Sequence, residues 1–173
     1  MPASPSSSPL AIIVMGVSGC GKSTLGALLA DALDCPFLEG DSFHSAQAVE
    51  KMRSGQPLSD EDRWPWLERL GHATATAMWT GGAAVAACSA LRRCYRDQLR
   101  EAIGGQVRFV LLDHDRDALL ERVSGRPGHY MPASLLDSQL ATLEWPGEDE
   151  EVMILRTDAA PEELRDAALR WLR

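Results

Sequence analysis

The chain has 173 residues, is 45% hydrophobic and carries a formal net charge of −8. A single domain of that size buries roughly two thirds of the surface its unfolded chain would expose, so no disulfide or structural metal is required to complete a core. The acidic balance, with no basic run or interleaved aromatic tract, excludes the electrostatic footprint of a nucleic-acid binder and favours a small-molecule partner.

Residues 1–9 are almost entirely Pro and Ser, a composition that predicts a disordered leader ahead of one domain spanning 10–173. The leader lacks a basic segment, and the apolar run after it is about six residues long, too short for a secretion signal or a membrane span. The expectation is a cytoplasmic protein. Cys20, Cys35, Cys88 and Cys94 have no C-x-x-C spacing and no zinc-like pairing with histidine, and read as reduced thiols.

Residues 10–15 form an apolar strand, and Gly16, Gly21, Lys22 and Ser23 fit G-x-x-x-x-G-K-[ST] between that strand and a helix predicted over 23–33. Glycines let the backbone N–H groups approach a phosphate closely, and the helix N-terminus adds its dipole. Lys22 suits the β- and γ-phosphates, and the Ser23 hydroxyl suits Mg²⁺. The loop therefore binds a nucleoside triphosphate. Cys20 lies within it, either as an oxidisable thiol or as a passive small residue.

Residues 35–41 predict a short strand ending in Glu39 and Asp41, two residues apart and so on one face. Asp41 is the candidate general base for an alcohol acceptor, and Glu39 a candidate for holding Mg²⁺ through water or positioning Ser23. Either acid can also be read as a turn former or helix cap. Helices follow over 45–53 and 62–78, the second opening on the acidic cluster 59–62, with Pro65 placed in its first turn. Trp64, Trp66 and Trp79 read as packing residues.

Residues 83–88 form a second buried strand, 91–102 a basic helix, 107–112 a strand delivering Asp113 and His114, and 115–123 a helix. The segment 124–132 is punctuated by Gly and Pro, carries Arg126 and His129, and reads as a lid. A helix over 132–142, a strand over 152–155 and a terminal helix over 161–172 complete the chain. Strands alternate with helices five times, which predicts an α/β fold with a parallel sheet covered on both faces. Arg53, Arg63, Arg92, Arg93, Arg96, Arg122 and Arg126 stand out in so acidic a chain as candidates for binding carboxylate or phosphate.

Beyond the glycine loop, the residues Glu39–His44, Lys51-Met52, Asp60, Asp62-Arg63, Pro65–Leu67, Cys88–Leu91, Tyr95–Asp97, Gly128-His129, Ser138-Gln139 and Thr142–Glu144 make the chain similar to the small P-loop gluconokinases. The match extends to about Pro146. The resemblance implies a three-layer, nucleoside-monophosphate-kinase-like P-loop fold with strand order 2-3-1-4-5, ATP and Mg²⁺ as cofactors, phosphorylation of D-gluconate on its 6-hydroxyl, and a homodimer. It puts Gly16, Val17, Ser18, Gly19, Cys20, Gly21, Lys22, Ser23 and Thr24 around the phosphates and Arg122 and Arg126 on the nucleotide and lid side. Asp41, Arg63, Arg92, His129 and Gln139 fall around the sugar acid. Lys22, Asp41 and Arg126 are then the catalytic groups, and Ser23 and Glu39 the metal side. Three departures stand out: Arg92 where lysine is frequent, Leu140 where phenylalanine is usual, and Pro127 in the lid. The alternatives are a shikimate- or nucleotide-type kinase and a non-catalytic ATP-binding switch.

Overall fold

The computed structural model describes residues 8–124 and 133–173. Residues 1–7 of the expected leader and 125–132 of the expected lid, including Arg126 and His129, lie outside the described residues. In chain order the elements are β1 (Leu10–Met15), α1 (Lys22–Leu33), β2 (Phe37–Glu39), a 3₁₀ turn (Gly40–Phe43), α2 (Ala46–Arg53) and α3 (Asp60–Gly81). They continue with β3 (Ala83–Ala87), α4 (Arg93–Ile103), β4 (Gln106–Asp113), α5 (Arg116–Ser124), α6 (Ala133–Thr142), β5 (Val152–Arg156) and α7 (Pro161–Leu172).

The five strands form one parallel sheet in the order β2-β3-β1-β4-β5. In the middle of the sheet, successive side chains go to opposite covered faces. Ala11, Ile13 and Met15 of β1 pack with Leu67, Leu70 and Met78 of α3 and Leu99 of α4 on one face. Ile12 and Val14 pack with Leu25 and Leu29 of α1, Leu119 of α5, Leu136 of α6 and Leu164 of α7 on the other. These two cores make the three layers expected from the alternation of elements.

Most boundaries agree with the sequence reading to within one or two residues, and two differences matter for the site. β2 stops at Glu39, and the chain turns into the 3₁₀ segment, so Asp41 is not a strand residue and the same-face argument linking it to Glu39 does not apply. The long helix begins at Asp60 and runs to Gly81, which leaves Pro65 in its second turn. Its start is fixed by a capping box: the Ser59 hydroxyl accepts from the Asp62 N–H at 3.2 Å and the Asp62 carboxylate accepts from the Ser59 N–H at 2.9 Å. Of the tryptophans read as packing, Trp66 is buried, but Trp79 is 59% exposed.

A buried ion pair ties α4 to the segment just before β5. Arg96 of α4 is fully buried, and its Nε and Nη2 donate to the two carboxylate oxygens of Glu150 at 2.7 and 3.0 Å. Its Nη1 donates to the carbonyls of Ala90 and Leu91 at 3.1 and 3.3 Å. Those bonds hold the turn after β3, where Ala90 sits at φ 45°, a conformation unfavourable for a residue with a Cβ. Arg96, one of the cations singled out in the sequence, is thus a structural residue.

Candidate active site

The phosphate loop runs from Gly16 to Gly21. Gly16, Gly19 and Gly21 have φ of 144°, 80° and 95°, and a Cβ at Gly16 would lie 2.8 Å from Cys20 Sγ and 3.0 Å from the Leu112 carbonyl oxygen. Helix α1 starts with no side-chain cap and no acid in its first turn. Its first N–H groups are therefore left to an anion. Lys22 donates from Nζ to the Val17 carbonyl at 3.0 Å, folded back over the loop. The Ser18 N–H donates to Gln139 Oε1 at 2.7 Å, and Gln139 Nε2 donates to Ser18 Oγ at 3.1 Å. Gln139 thus sits on the loop, where a side-chain oxygen holds a position suited to a phosphate oxygen. The Cys20 side chain is buried, which favours the passive reading of this thiol.

Loop and acceptor residues share one cleft of about 930 Å³ at the carboxyl ends of the strands, where open α/β sheets bind ligands. It is lined by Ser18, Gly19, Gly21, Lys22, Ser23 and Thr24 of the loop and α1, by Glu39, Asp41, Arg53 and Arg63 from β2 to α3, and by Gln139 of α6. Ser23 donates its hydroxyl proton to Glu39 Oε2. That oxygen pair suits a hard cation such as Mg²⁺. Among the described residues no group of three or more His, Cys, Asp or Glu could hold a metal ion.

Asp41 is held by groups the sequence reading passed over. Gly40 packs against the Ala87 carbonyl so closely that no Cβ fits there. The Trp66 indole N–H donates to the Gly40 carbonyl at 2.7 Å, and Arg69 donates to the Phe43 carbonyl at 2.8 and 3.1 Å. His44 stacks on Trp66 with centroids 4.1 Å apart, and its Nε2 lies 4.0 Å from Asp41 Oδ1. Burial pushes the His44 pKa down, and its Nδ1 is a buried nitrogen without a hydrogen-bond partner among the described residues, so the ring is neutral. Arg63, Trp66 and Arg69 recur every three residues along α3, the signal that would have revealed this face. Asp41 itself is 87% exposed, open to an incoming hydroxyl.

The cations divide. Arg63 lines both the main cleft and an adjoining one of about 420 Å³, whereas Arg92 lines the adjoining one alone. Arg63 donates to Tyr95 Oη at 3.0 Å, and Tyr95 donates to Asp60 Oδ1 at 2.6 Å. Arg92 pairs with Glu144 at 2.9 Å and Asp60 at 3.4 Å. Arg93 pairs with Asp149. Arg122 reaches back over the loop, its Nη1 3.8 Å from where a Cβ on Gly21 would lie. Cys88, directly after β3, is buried and its thiol pKa is pushed up to about 12. The next residue, Ser89, accepts the Gly16 N–H at 3.2 Å.

An uncapped helix behind a glycine loop, with a carboxylate turn across the cleft, defines a P-loop phosphotransferase, and a family model described as an AAA domain matches residues 12–146. The chain is 45% identical to a gluconokinase of Gluconobacter oxydans over 94% of its own length and 90% of that protein. It is 44% identical to the thermosensitive gluconokinase of Escherichia coli over 82% and 75%. A crystal structure of a gluconokinase from Sinorhizobium meliloti 1021 superposes with a TM-score of 0.85 at 44% identity, covering 95% of this chain and 91% of that one. The chain belongs to the gluconokinase family and is a kinase.

Proposed function

We propose that the chain transfers the γ-phosphate of ATP to the 6-hydroxyl of D-gluconate. The observation that carries the reading is that Asp41, Lys22 and Ser23 line one cleft. Asp41 orients the hydroxyl and accepts its proton as the oxygen–phosphorus bond forms and the bond to the β-phosphate oxygen breaks, releasing ADP. Lys22 leaves the Val17 carbonyl for the β- and γ-phosphates, and Gln139 gives up the Ser18 N–H to a phosphate oxygen and meets the sugar acid. Ser23, supported by Glu39, would hold Mg²⁺, which supplies further neutralisation of phosphate charge. Arg63, with Arg92 from the adjoining cleft, meets the substrate carboxylate, a geometry suited to guanidinium.

Arg126 and His129 complete the reading on resemblance alone: the segment 124–132 closes over the phosphates and excludes water, Arg126 adding charge and His129 meeting substrate hydroxyls. The same reading has the chain acting as a homodimer in the cytoplasm, which sedimentation of the purified protein and cell fractionation test. The deciding experiment is coupled ADP release over a panel of gluconate, shikimate and nucleoside monophosphates. Gluconate is expected to give the largest stimulation. Faster turnover with shikimate or a nucleotide would reassign the acceptor, and ADP release indifferent to every acceptor would favour the switch.

A further inference from the structure

His114 stands directly after β4 and bridges three parts of the chain that the reaction scheme leaves unconnected. Its Nε2 lies 2.8 Å from the Cys20 carbonyl oxygen of the phosphate loop and 3.2 Å from Arg122 Nη1 of α5. Its Nδ1 is hydrogen-bonded to Thr157 Oγ1, just past β5, and that hydroxyl also lies 3.1 Å from the Asp113 carbonyl oxygen. Burial pushes the His114 pKa down, and the Arg122 charge adds to that. The ring is therefore neutral at pH 7, with one donor nitrogen and one acceptor.

The two neutral tautomers make different sets of bonds, and only the one with Nε2 protonated is compatible with a Cys20 carbonyl oxygen 2.8 Å away. With the proton on Nε2, the ring donates to the Cys20 carbonyl, and Nδ1 accepts from the Thr157 hydroxyl. With the proton on Nδ1, the ring donates to Thr157 Oγ1, which turns its own proton to the Asp113 carbonyl. Nε2 then accepts from Arg122. Each state satisfies both ring nitrogens. The imidazole can thus hold the loop carbonyl or Arg122, but not both through one nitrogen.

We propose that His114 is a positioning residue for the nucleotide half of the site, fixing the phosphate loop through the Cys20 carbonyl when Arg122 turns to bound nucleotide. The proposal rests on the reading of the loop as an ATP site. Holding the carbonyl from behind keeps the neighbouring N–H groups aimed into the cradle, so ATP does not have to order the loop as it binds. Asp41 and Arg63, which line the cleft from β2 and α3, are not among the groups His114 bonds.

The test uses the full chain, titrated calorimetrically with ATP and MgCl₂ without acceptor, together with steady-state kinetics and thermal unfolding. His114→Ala is expected to raise the ATP Kd and KM about ten-fold, about 1.4 kcal/mol, with the gluconate KM unchanged. His114→Gln places an amide where Nε2 stood, able to donate to Cys20 and accept from Arg122, and is expected to restore ATP affinity. His114→Asn reaches only as far as Nδ1 and is expected not to. Thr157→Val weakens ATP in the same direction and carries the test if His114→Ala does not fold. Unchanged ATP affinity in His114→Ala, equal rescue by Asn and Gln, or a parallel loss in ATP KM, gluconate KM and melting temperature would each overturn the proposal. Failure of the unsubstituted chain to bind ATP in the same titration would instead remove the nucleotide reading, and the proposal with it.

Discussion

Replacing Arg96 with methionine keeps much of the side-chain volume and removes the charge, leaving the Glu150 carboxylate, only 2% exposed, with Arg100 Nη2 at 3.0 Å and the Gly147 N–H at 3.2 Å. Removing one partner of a buried pair costs about 3–5 kcal/mol. A second route agrees. The hydrogen bonds of Arg96, Arg100 and the Gly147 N–H together hold the Glu150 pKa at about 2 against an ordinary 4.5, and at about 1.4 kcal/mol per pH unit the whole gap is worth about 3.5 kcal/mol, of which Arg96 supplies the largest part. Because the folded value is depressed, this stabilisation is full above pH 4.5 and is lost as pH falls towards 2. In a chain of this size the substitution should lower the melting temperature by about 6–20 °C at pH 7. It should also flatten the acid limb of stability. Circular dichroism melts and urea titrations across pH measure both effects. Arg96→Met combined with Glu150→Leu should recover most of the loss, since well-packed apolar pairs replace buried ion pairs at little cost. A loss under about 1 kcal/mol in the single variant, or a double variant as unstable as the single, would refute the reasoning.

Asp41→Asn should lower kcat by about 10²–10⁴ while leaving ATP affinity close to wild type, and unchanged turnover would remove Asp41 from the role of base. Gly40→Ala drives a methyl group onto the Ala87 carbonyl oxygen and should destabilise by about 1–3 kcal/mol. Because the same turn carries Asp41, kcat should fall as well, and wild-type kinetics would show the turn to be more forgiving than its packing indicates. Ser59→Ala removes one arm of the α3 capping box and should cost about 1 kcal/mol in urea unfolding, with kcat little changed.

The glycine loop and the buried strands were legible because each obeys a local rule: fixed spacing for the loop, small apolar runs for β1 and β3. The polar residues at strand ends were legible for the same reason, as the sheet exposes them at one edge. Asp41 was found by position, yet the means of holding it was not. The 3₁₀ turn depends on the close approach of Gly40 to β3 and on Trp66 and Arg69, which stand 26 residues beyond the carbonyls they bind. Arg96 was noticed as a cation, but its partner Glu150 lies 54 residues away, and no local pattern distinguishes a buried arginine from a substrate-binding one. Pro65 falls in the second turn because, of the four polar residues 59–62 that could cap the helix, Ser59 is the cap.

The sheet order has a consequence for divergence. With β1 in the centre, Asp41 and Arg63 hang from β2 and α3 on one side, and Arg122 and His114 belong to the β4 and β5 side, with Gln139 of α6 reaching the cleft from there. Among the described residues Asp41 and Arg63 make no hydrogen bond to the phosphate loop, so substitutions around those two residues can accumulate without disturbing the cradle. A change of substrate in such a molecule amounts to remodelling one flank. Transplanting the segment from β2 to the start of α3 between kinases of this architecture should therefore move acceptor preference as a block and leave the nucleotide requirement where it was.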